Sequence, residues 1–266
     1  MTDTSFSLYD LENKHGWLLS SFKNKDDIHY SPLLQFGRTN YCDPWQDPHF
    51  HSHSISQEIY LLIEGELWHL VDDIPIVMKE RSLLIVQPGI SHSIIGGRGK
   101  IQHFGMKIPH QEDKKIIDNK NREINNILNI IKEDNVENHL DPSIGFFIDL
   151  NEKKNQNRWQ VGIGHAFYYT EEFCLAYVNF QSKEDRESVD HKDEYHYHKK
   201  STEWYLTIKG EQELLIDGEI VVAKESTLLR VNEGTPHNVI SRMYPFEGVT
   251  IKTPVVKGDK YILEEK

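Results

Sequence analysis

The residues best suited to chemistry are three histidines and a glutamate in the first half of the chain. His51, His53 and Glu58 follow the pattern H-x-H-x4-E, and Gly65 follows after six further residues. His92 comes after a proline–glycine turn. Three neutral imidazoles and one carboxylate form a mixed nitrogen and oxygen site that suits Fe, Mn, Ni, Co, Cu or Zn. Four protein ligands on a six-coordinate ion leave two positions open for substrate, water or dioxygen.

The same set recurs 145 residues later as His196, His198, Glu203, Gly210 and His237. Turn residues keep this offset, because Asp217-Gly218 falls 145 residues after Asp72-Asp73. Scattered surface histidines would not stay in register through turns as well as motifs. The chain is therefore predicted to contain two copies of one metal-binding unit. One copy acting only as a structural ion site, or as a relic, stays an open alternative.

Composition limits the class of partner. The 266 residues are 38% hydrophobic and 27% charged, which is typical of a globular protein with a core. The net charge of −12 disfavours nucleic acid and anionic membranes, because their phosphates repel such a surface. No apolar run approaches the length of a transmembrane helix. We therefore expect a small-molecule partner and no binding to nucleic acid or membrane.

The start of the chain and the two cysteines indicate a cytoplasmic protein. Residues 1–10 lack the basic start and apolar stretch of a signal peptide. Cys42 and Cys174 lie far apart and in no C-x-x-C motif, so two buried thiols are expected. A reducing compartment is the simplest setting for such cysteines.

Short apolar runs separated by turn residues fill both halves of the chain. In the first half they extend from Glu58 to Pro109, with breaks expected at Glu64-Gly65 and Gly96-Gly97. From Glu203 onward the same pattern of apolar runs and turn residues is repeated. Short strands at regular spacing with Gly and Pro turns indicate a β-sandwich or barrel.

The stretch 111–139 differs from both halves. It contains neither Gly nor Pro, and its isoleucines recur near the helical period. We predict one or two amphipathic helices that end at Asp141-Pro142. The predicted organisation is an N-terminal barrel (1–110), a helical connector (111–142) and a C-terminal barrel (143–266).

Strand periodicity places further side chains beside each candidate site. Residues two apart on a strand face the same side, so Tyr60 should follow Glu58 inward, and Tyr205 should follow Glu203. Either tyrosine could donate to an anionic substrate, or could simply pack in the core. Arg38 and Arg230 lie on strands that could reach a barrel mouth. Arg38 could clamp a carboxylate, or could be solvated, and Arg230, which closely precedes the turn to His237, is slightly better placed. Histidines without a repeat partner are treated as ordinary: His69, His103, His110, His165 and His191.

The doubled motif resembles the cupin superfamily, and the doubling resembles a bicupin. The first cupin motif is matched by both H-x-H-x4-E-x6-G copies. The second motif, P-x-G-x2-H-x3-N, is matched less well, because Pro88 is displaced by one position and Asn232 replaces the second proline. The resemblance implies an all-β fold of two jelly-roll barrels joined by the helical connector, each with an ion inside.

The resemblance also implies a range of functions, because the superfamily includes dioxygenases, decarboxylases, isomerases, epimerases and binding modules. We favour a metal-dependent enzyme that acts on a small organic molecule as a non-haem-iron-type dioxygenase. A redox-neutral isomerase or decarboxylase and a non-catalytic binding bicupin are the alternatives. The predicted catalytic residues are Glu58, Glu203, Tyr60, Tyr205 and Arg230.

The predicted cofactor is one divalent transition metal in each barrel. Iron is favoured, and the ligand set also suits Mn, Ni, Co, Cu or Zn. The predicted metal ligands are His51, His53, Glu58, His92, His196, His198, Glu203 and His237. Because exposed barrel faces often pair, a homodimer is a further expectation.

Overall fold

The computed structural model describes residues 5–41, 49–117, 124–132, 136–152, 158–162, 167–187 and 193–263. The elements in the first part of the chain are β1 (Phe6–Asp10), β2 (Gly16–Leu19), β3 (Gln35–Tyr41), β4 (His51–His53), β5 (Gln57–Val71), β6 (Ile74–Met78), β7 (Ser82–Val86), β8 (His92–Ile108), β9 (Lys114–Ile116), α1 (Ile124–Lys132) and β10 (Gly145–Asp149). The later elements are β11 (Arg158–Val161), β12 (Cys174–Phe180), α2 (Lys183–Glu187), β13 (His196–His198), β14 (Thr202–Ile216), β15 (Glu219–Lys224), β16 (Thr227–Val231), β17 (His237–Thr253) and β18 (Lys260–Ile262).

Two antiparallel sheets with one shared topology account for these strands. In the first, the order is β10-β7-β5-β8-β3-β2, with β6 on β5 and with β4 between β8 and β9. In the second, the order is β1-β16-β14-β17-β12-β11, with β15 on β14 and with β13 between β17 and β18. The predicted fold class, all-β with two jelly-roll barrels, is confirmed.

The barrels exchange their edge strands relative to the predicted boundaries. The N-terminal barrel comprises Lys14–Glu152, and the C-terminal barrel combines the chain before Lys14 with Lys153–Lys266. Strand β10 pairs with β7 and so belongs to the N-terminal barrel, although it was predicted in the third segment. Strand β1 pairs with β16 in the C-terminal barrel. Hydrophobic alternation identifies a strand but not the sheet whose open edge it pairs with, which is why these boundaries differ.

The predicted helical connector is only partly helical among the described residues. Helix α1 packs Leu128 and Ile131 against Phe50 and Trp68 of the N-terminal barrel. The start of the connector instead forms β9, which pairs with β4. Periodicity missed this strand because a three-residue segment is too short to show a repeat.

The breaks predicted at Glu64-Gly65 and Gly96-Gly97 are wrong, because β5 and β8 run continuously through them. Gly65 has φ +86°, and a Cβ there would collide with the carbonyl of Lys100. Shifts of register on both sides of Gly65 let the strand bend without leaving the sheet. The first part of β5 therefore pairs with β7 and its last part with β6.

The tight turns and the cores agree with the sequence patterns. Asp217 and Gly218 both have positive φ, as the predicted hairpin requires, and so do Asp72 and Asp73. Alternate apolar side chains fill each barrel interior, where Tyr60 lies in one core cluster and Tyr205 in the other. Cys174 is buried, whereas Cys42 lies outside the described residues. Neither described helix has the length and hydropathy required to span a bilayer.

Candidate metal centres

Three strands of the N-terminal barrel bring the first ligand set together. Strand β4 carries His51 and His53, β5 carries Glu58, and β8 begins with His92. His51 is paired directly with His92 across the sheet. All four residues are buried, and one donor atom from each lies within 4.8 Å of the others. The alternation of side chains along strands thus produces the convergence that the spacing predicts.

The three imidazoles surround a single oxygen of Glu58. The Nε2 atoms of His51 and His53 lie 3.0 Å from Glu58 Oε2, and that of His92 lies 2.9 Å away. Two ligands at right angles, each about 2.1 Å from one ion, are separated by about 3.0 Å. Burial raises the pKa of Glu58, but the three histidine rings that surround its carboxylate hold that pKa well below its ordinary value. The glutamate is therefore a carboxylate able to bind a cation.

The opposite ring nitrogens indicate which atoms face the ion. Nδ1 of His51 lies 2.8 Å from the His49 carbonyl, and Nδ1 of His92 lies 2.9 Å from the Ile90 carbonyl. A carbonyl only accepts hydrogen bonds, so in each neutral imidazole the proton is on Nδ1 and the lone pair is on Nε2. Lone pairs directed at a carboxylate repel it unless a cation lies between them. The donor set therefore fits a divalent metal ion.

The C-terminal barrel repeats the arrangement on β13, β14 and β17. Its buried donors also lie within 4.8 Å of one another. The Nε2 atoms of His196, His198 and His237 lie 3.7, 3.2 and 3.0 Å from Glu203 Oε2. Their Nδ1 atoms face the carbonyls of Glu194, Asp259 and Thr235 at 2.7, 2.9 and 2.9 Å. This cluster also fits a metal ion.

Asp113 supports the N-terminal site and was not identified from the sequence. Its Oδ2 accepts the backbone N–H groups of Ile55 and Ser56, each at 2.8 Å, and its Oδ1 lies 2.9 Å from His53 Nδ1. The carboxylate thus fixes the loop between the histidine pair and Glu58. Such partners orient metal ligands and raise their basicity.

Asp259 has the corresponding place in the C-terminal barrel. Its carboxylate accepts backbone N–H groups from Lys199, Lys200 and Ser201 at 3.0–3.1 Å. The offset between the two aspartates is 146 residues, one more than that of the ligands, and Asp113 lies in the predicted connector. An Asp-Lys pair at both places was the only available sequence signal.

Two of the three other predicted catalytic residues lie beside the ligands. The Tyr60 ring lies 6.3 Å from that of His92, and the Tyr205 ring lies 6.1 Å from that of His237. Burial raises the pKa of both hydroxyls, and the neighbouring glutamate raises it further. Both tyrosines are therefore neutral hydrogen-bond donors at physiological pH.

Arg230 is not brought to the metal centre. It pairs with Trp204, the residue between Glu203 and Tyr205, and so lies on the opposite face of the sheet from the ligands. Its guanidinium lies over the Trp204 ring, 5.3 Å from the centroid. Strand parity, which was applied to the tyrosines but not to the arginine, would have excluded it.

Two histidines that were treated as ordinary lie inside the N-terminal barrel. The ring of His69 lies 4.4 Å from that of Tyr60, and the ring of His103 lies 6.3 Å from it on the other strand. Both are buried, and burial lowers the pKa of His103 to about 4. Among the described residues, neither ring nitrogen of His69 has a hydrogen-bond partner. His69 and His103 have no histidine counterpart in the second half of the chain, so the repeat gave no signal for them.

A cavity of about 220 Å³ opens onto the N-terminal ligand cluster. His51 and Glu58 form part of its wall, together with Tyr60 and His103. Trp17, Thr39 and Ile94 also line it. The cavity therefore has a mainly aromatic and polar lining next to the candidate metal ligands.

No protein-family model and no curated protein sequence matches this chain. Solved structures do match. A bacterial pirin from Escherichia coli in complex with nickel(II) has a TM-score of 0.58 at 14% identity, over 94% of this chain and 100% of that chain. A salicylate 1,2-dioxygenase from Pseudaminobacter salicylatoxidans has a TM-score of 0.53 at 10% identity, over 86% and 74%.

A cupin 2 conserved barrel domain protein from Leptotrichia buccalis has a TM-score of 0.50 at 9% identity, over 84% of this chain and 85% of that chain. At these identities the likeness establishes a shared fold. The residues of the site, and not these names, must carry any conclusion about activity.

Proposed function

We propose that this chain, which has the fold of two cupin barrels, is a metal-dependent enzyme that acts on a small organic molecule in its N-terminal barrel. The reaction we favour is that of a non-haem-iron-type dioxygenase. Dioxygen is then the oxidant, and both of its atoms enter the product.

The observation that carries the proposal is the cavity at His51 and Glu58. Small-molecule sites are concave, largely apolar and furnished with a few convergent polar groups. Here a cleft of about 220 Å³ meets two of the four candidate ligands directly. A molecule in that space would reach the open positions of an ion held by His51, His53, Glu58 and His92.

The residues around the cavity have separate tasks. A redox-active divalent ion, when bound, supplies the activation of dioxygen and polarises substrate oxygen atoms. Tyr60 is held neutral beside Glu58 and can donate a hydrogen bond to a substrate oxygen atom. Trp17 and Ile94 contribute apolar wall, which limits the water that reaches the site.

The Tyr60–Glu58 pair also favours a second candidate, a redox-neutral isomerisation or decarboxylation. A neutral phenol and a carboxylate next to each other can deliver and accept a proton without a change of oxidation state. Such a reaction would tolerate zinc or manganese and would proceed without dioxygen.

Oxygen uptake by the iron(II)-loaded protein tests the proposal. Enols, 2-keto acids and catechols should be screened in an oxygen electrode, with Glu58→Gln as the matched inactive variant and Glu203→Gln as the control in the other barrel. We expect uptake that Glu58→Gln abolishes and Glu203→Gln retains. Anaerobic turnover would favour the redox-neutral candidate, and binding without turnover would leave a non-catalytic module.

Three further expectations belong to the proposal. Iron as the resident metal is tested by metal analysis of the purified protein. The homodimer is tested by sedimentation, and the cytoplasmic location by cell fractionation. If Glu203→Gln unfolded the protein, the second ion would have a structural role.

A further inference from the structure

We propose that the cavity of the N-terminal barrel binds a planar, conjugated molecule that stacks on the indole of Trp17. This inference rests on the proposed function, because it names the substrate class of the same site. It depends on four residues at one register of the barrel wall: Trp17, Gly37, Gly105 and Tyr60.

The six-membered ring of the Trp17 indole lies next to two glycines. Trp17 is paired with Gly37, Gly37 with Gly105, and Gly105 with Tyr60, so the four residues share one level and one face of the sheet. A Cβ on Gly37 would lie 2.9 Å from Trp17 Cε3, and a Cβ on Gly105 would lie 3.5 Å from Trp17 Cη2. Because both residues are glycines, they leave the space that the indole ring occupies. We call this pair of glycines the seat of the ring.

Part of the indole surface is open to a ligand. Trp17 is 46% exposed and lines the cavity together with His51 and Glu58. An aromatic face next to a metal centre favours a flat π-system, because stacked rings attract beyond the area they bury. Thr39 and His103, paired at the adjacent register, place polar atoms beside that plane. A ring or enol with oxygen substituents matches this surface.

The C-terminal barrel lacks the seat. Trp159 has the position of Trp17, but it is paired with Ala176, and Thr250 stands where Gly105 stands. Lys252 Nζ lies over the Trp159 ring, 5.7 Å from its centroid. The two glycines and the uncovered indole therefore distinguish the N-terminal site, although the ligand sets are the same.

Calorimetric binding to the zinc-loaded protein tests the inference without turnover or dioxygen. The probes are catechol and cis-1,2-cyclohexanediol, which carry neighbouring oxygen atoms with and without a π-system. Because catechol is also the more acidic chelator, the Trp17 variants isolate the contribution of stacking. We expect catechol to bind at least tenfold more tightly. Trp17→Leu should weaken catechol about tenfold, Trp17→Phe less than threefold, and Trp159→Leu not at all.

Gly37→Ala provides an independent variant, because it introduces the residue of the C-terminal barrel and displaces the indole without altering Trp17. It should weaken catechol binding by a factor similar to that of Trp17→Leu, with thermal unfolding of both variants checked against wild type. Equal affinity for the two probes, or equal effects of Trp17→Leu and Trp159→Leu, would overturn the inference. If Trp17→Leu left oxygen uptake unchanged, the stacking of substrate on Trp17 would be refuted and the proposed enzyme activity would stand. If catechol bound but no turnover occurred, the proposed enzyme activity would be refuted and the stacking on Trp17 would stand.

Discussion

The N-terminal and C-terminal barrels have the same topology and the same four candidate metal ligands, but they satisfy their interior polar groups differently. In the C-terminal barrel, Gln212 Nε2 donates to Thr207 Oγ1 at 3.1 Å, and both residues are buried. The N-terminal barrel has Leu62 and Leu67 at these positions. A self-satisfied polar pair needs no ligand.

The N-terminal barrel places its extra polar groups around Tyr60. His69 and His103 occur where the C-terminal barrel has Leu214 and Gly248. Both ring nitrogens of the buried His69 are without a hydrogen-bond partner among the described residues, which is costly unless water or a ligand satisfies them. Identical candidate metal ligands therefore do not make the two interiors equivalent.

The residues behind the ligands differ as well. His53 Nδ1 faces the carboxylate of Asp113, whereas His198 Nδ1 faces the backbone carbonyl of Asp259. Lys107 Nζ lies 3.3 Å from the same Asp113 carboxylate. A carboxylate raises the basicity of a ligating imidazole more than a carbonyl does. The N-terminal centre should accordingly hold its ion more tightly.

Removal of one candidate ligand from each barrel should have the largest effect and tests whether the two barrels differ. His53→Ala and His198→Ala should each reduce bound metal by half, because each destroys one of the two clusters. Only His53→Ala should also abolish turnover. Metal analysis and oxygen uptake on the same samples measure both effects. An unchanged metal content in either variant would show that its barrel holds no ion.

Acid should destabilise the protein through His103, which has no counterpart in the C-terminal barrel. Burial lowers its pKa in the folded state to about 4, whereas the unfolded value is about 6.5. The unfolded state therefore binds more protons in this window, and stability falls as the pH is lowered from 6.5 towards 4. The loss should be roughly 2–3 kcal/mol by pH 4.5.

Urea unfolding at pH 7 and pH 4.5 measures that loss, with His103→Gln as the control that cannot titrate. In the control, the free energy of unfolding should change less between the two pH values, and the difference from wild type should be roughly 2–3 kcal/mol. An equal difference in both proteins would mean that His103 is already protonated or exposed in the folded state.

Asp113→Asn should separate the two centres by metal affinity. Loss of the carboxylate behind His53 should weaken binding in the N-terminal barrel by about 10- to 100-fold. Asp259→Asn is the matched control, since its contact with His198 is through the backbone and survives the change. Titration with a chelator in competition gives both affinities. Equal losses would indicate that the aspartates act only by holding their loops.

His69→Leu should sharpen the contrast between the interiors with the smallest effect. It introduces the residue of the C-terminal barrel and removes two buried nitrogen atoms without described partners. The free energy of unfolding should rise by about 1 kcal/mol. Leu214→His, the reverse exchange, should lower it. If His69→Leu were destabilising, His69 would have a partner such as bound water.

Much of the candidate site was readable in the sequence because its parts are local. The pairs His51–His53 and His196–His198 each lie on one strand, where a spacing of two guarantees a common face. The 145-residue offset then supported the more distant His92 and His237. Asp113 was missed because the pairing of β9 with β4 brings it beside His53, a contact that no sequence spacing encodes. Arg230 was expected at the site because it is close to His237 in the sequence. The face of the strand on which its side chain lies was not considered.

The amino-acid sequence was enough to identify the doubled unit, the all-β class, the Asp72-Asp73 and Asp217-Gly218 turns, and the eight converging candidate ligands. These depend on strand alternation, glycine conformations and a repeat, which are properties of neighbouring residues. The tertiary structure added which edges β1 and β10 complete, which aspartates hold the loops, and the cavity next to the N-terminal candidate ligands. Those features arise from contacts between residues far apart in the chain. The same ligand pattern is therefore compatible with two quite different surroundings.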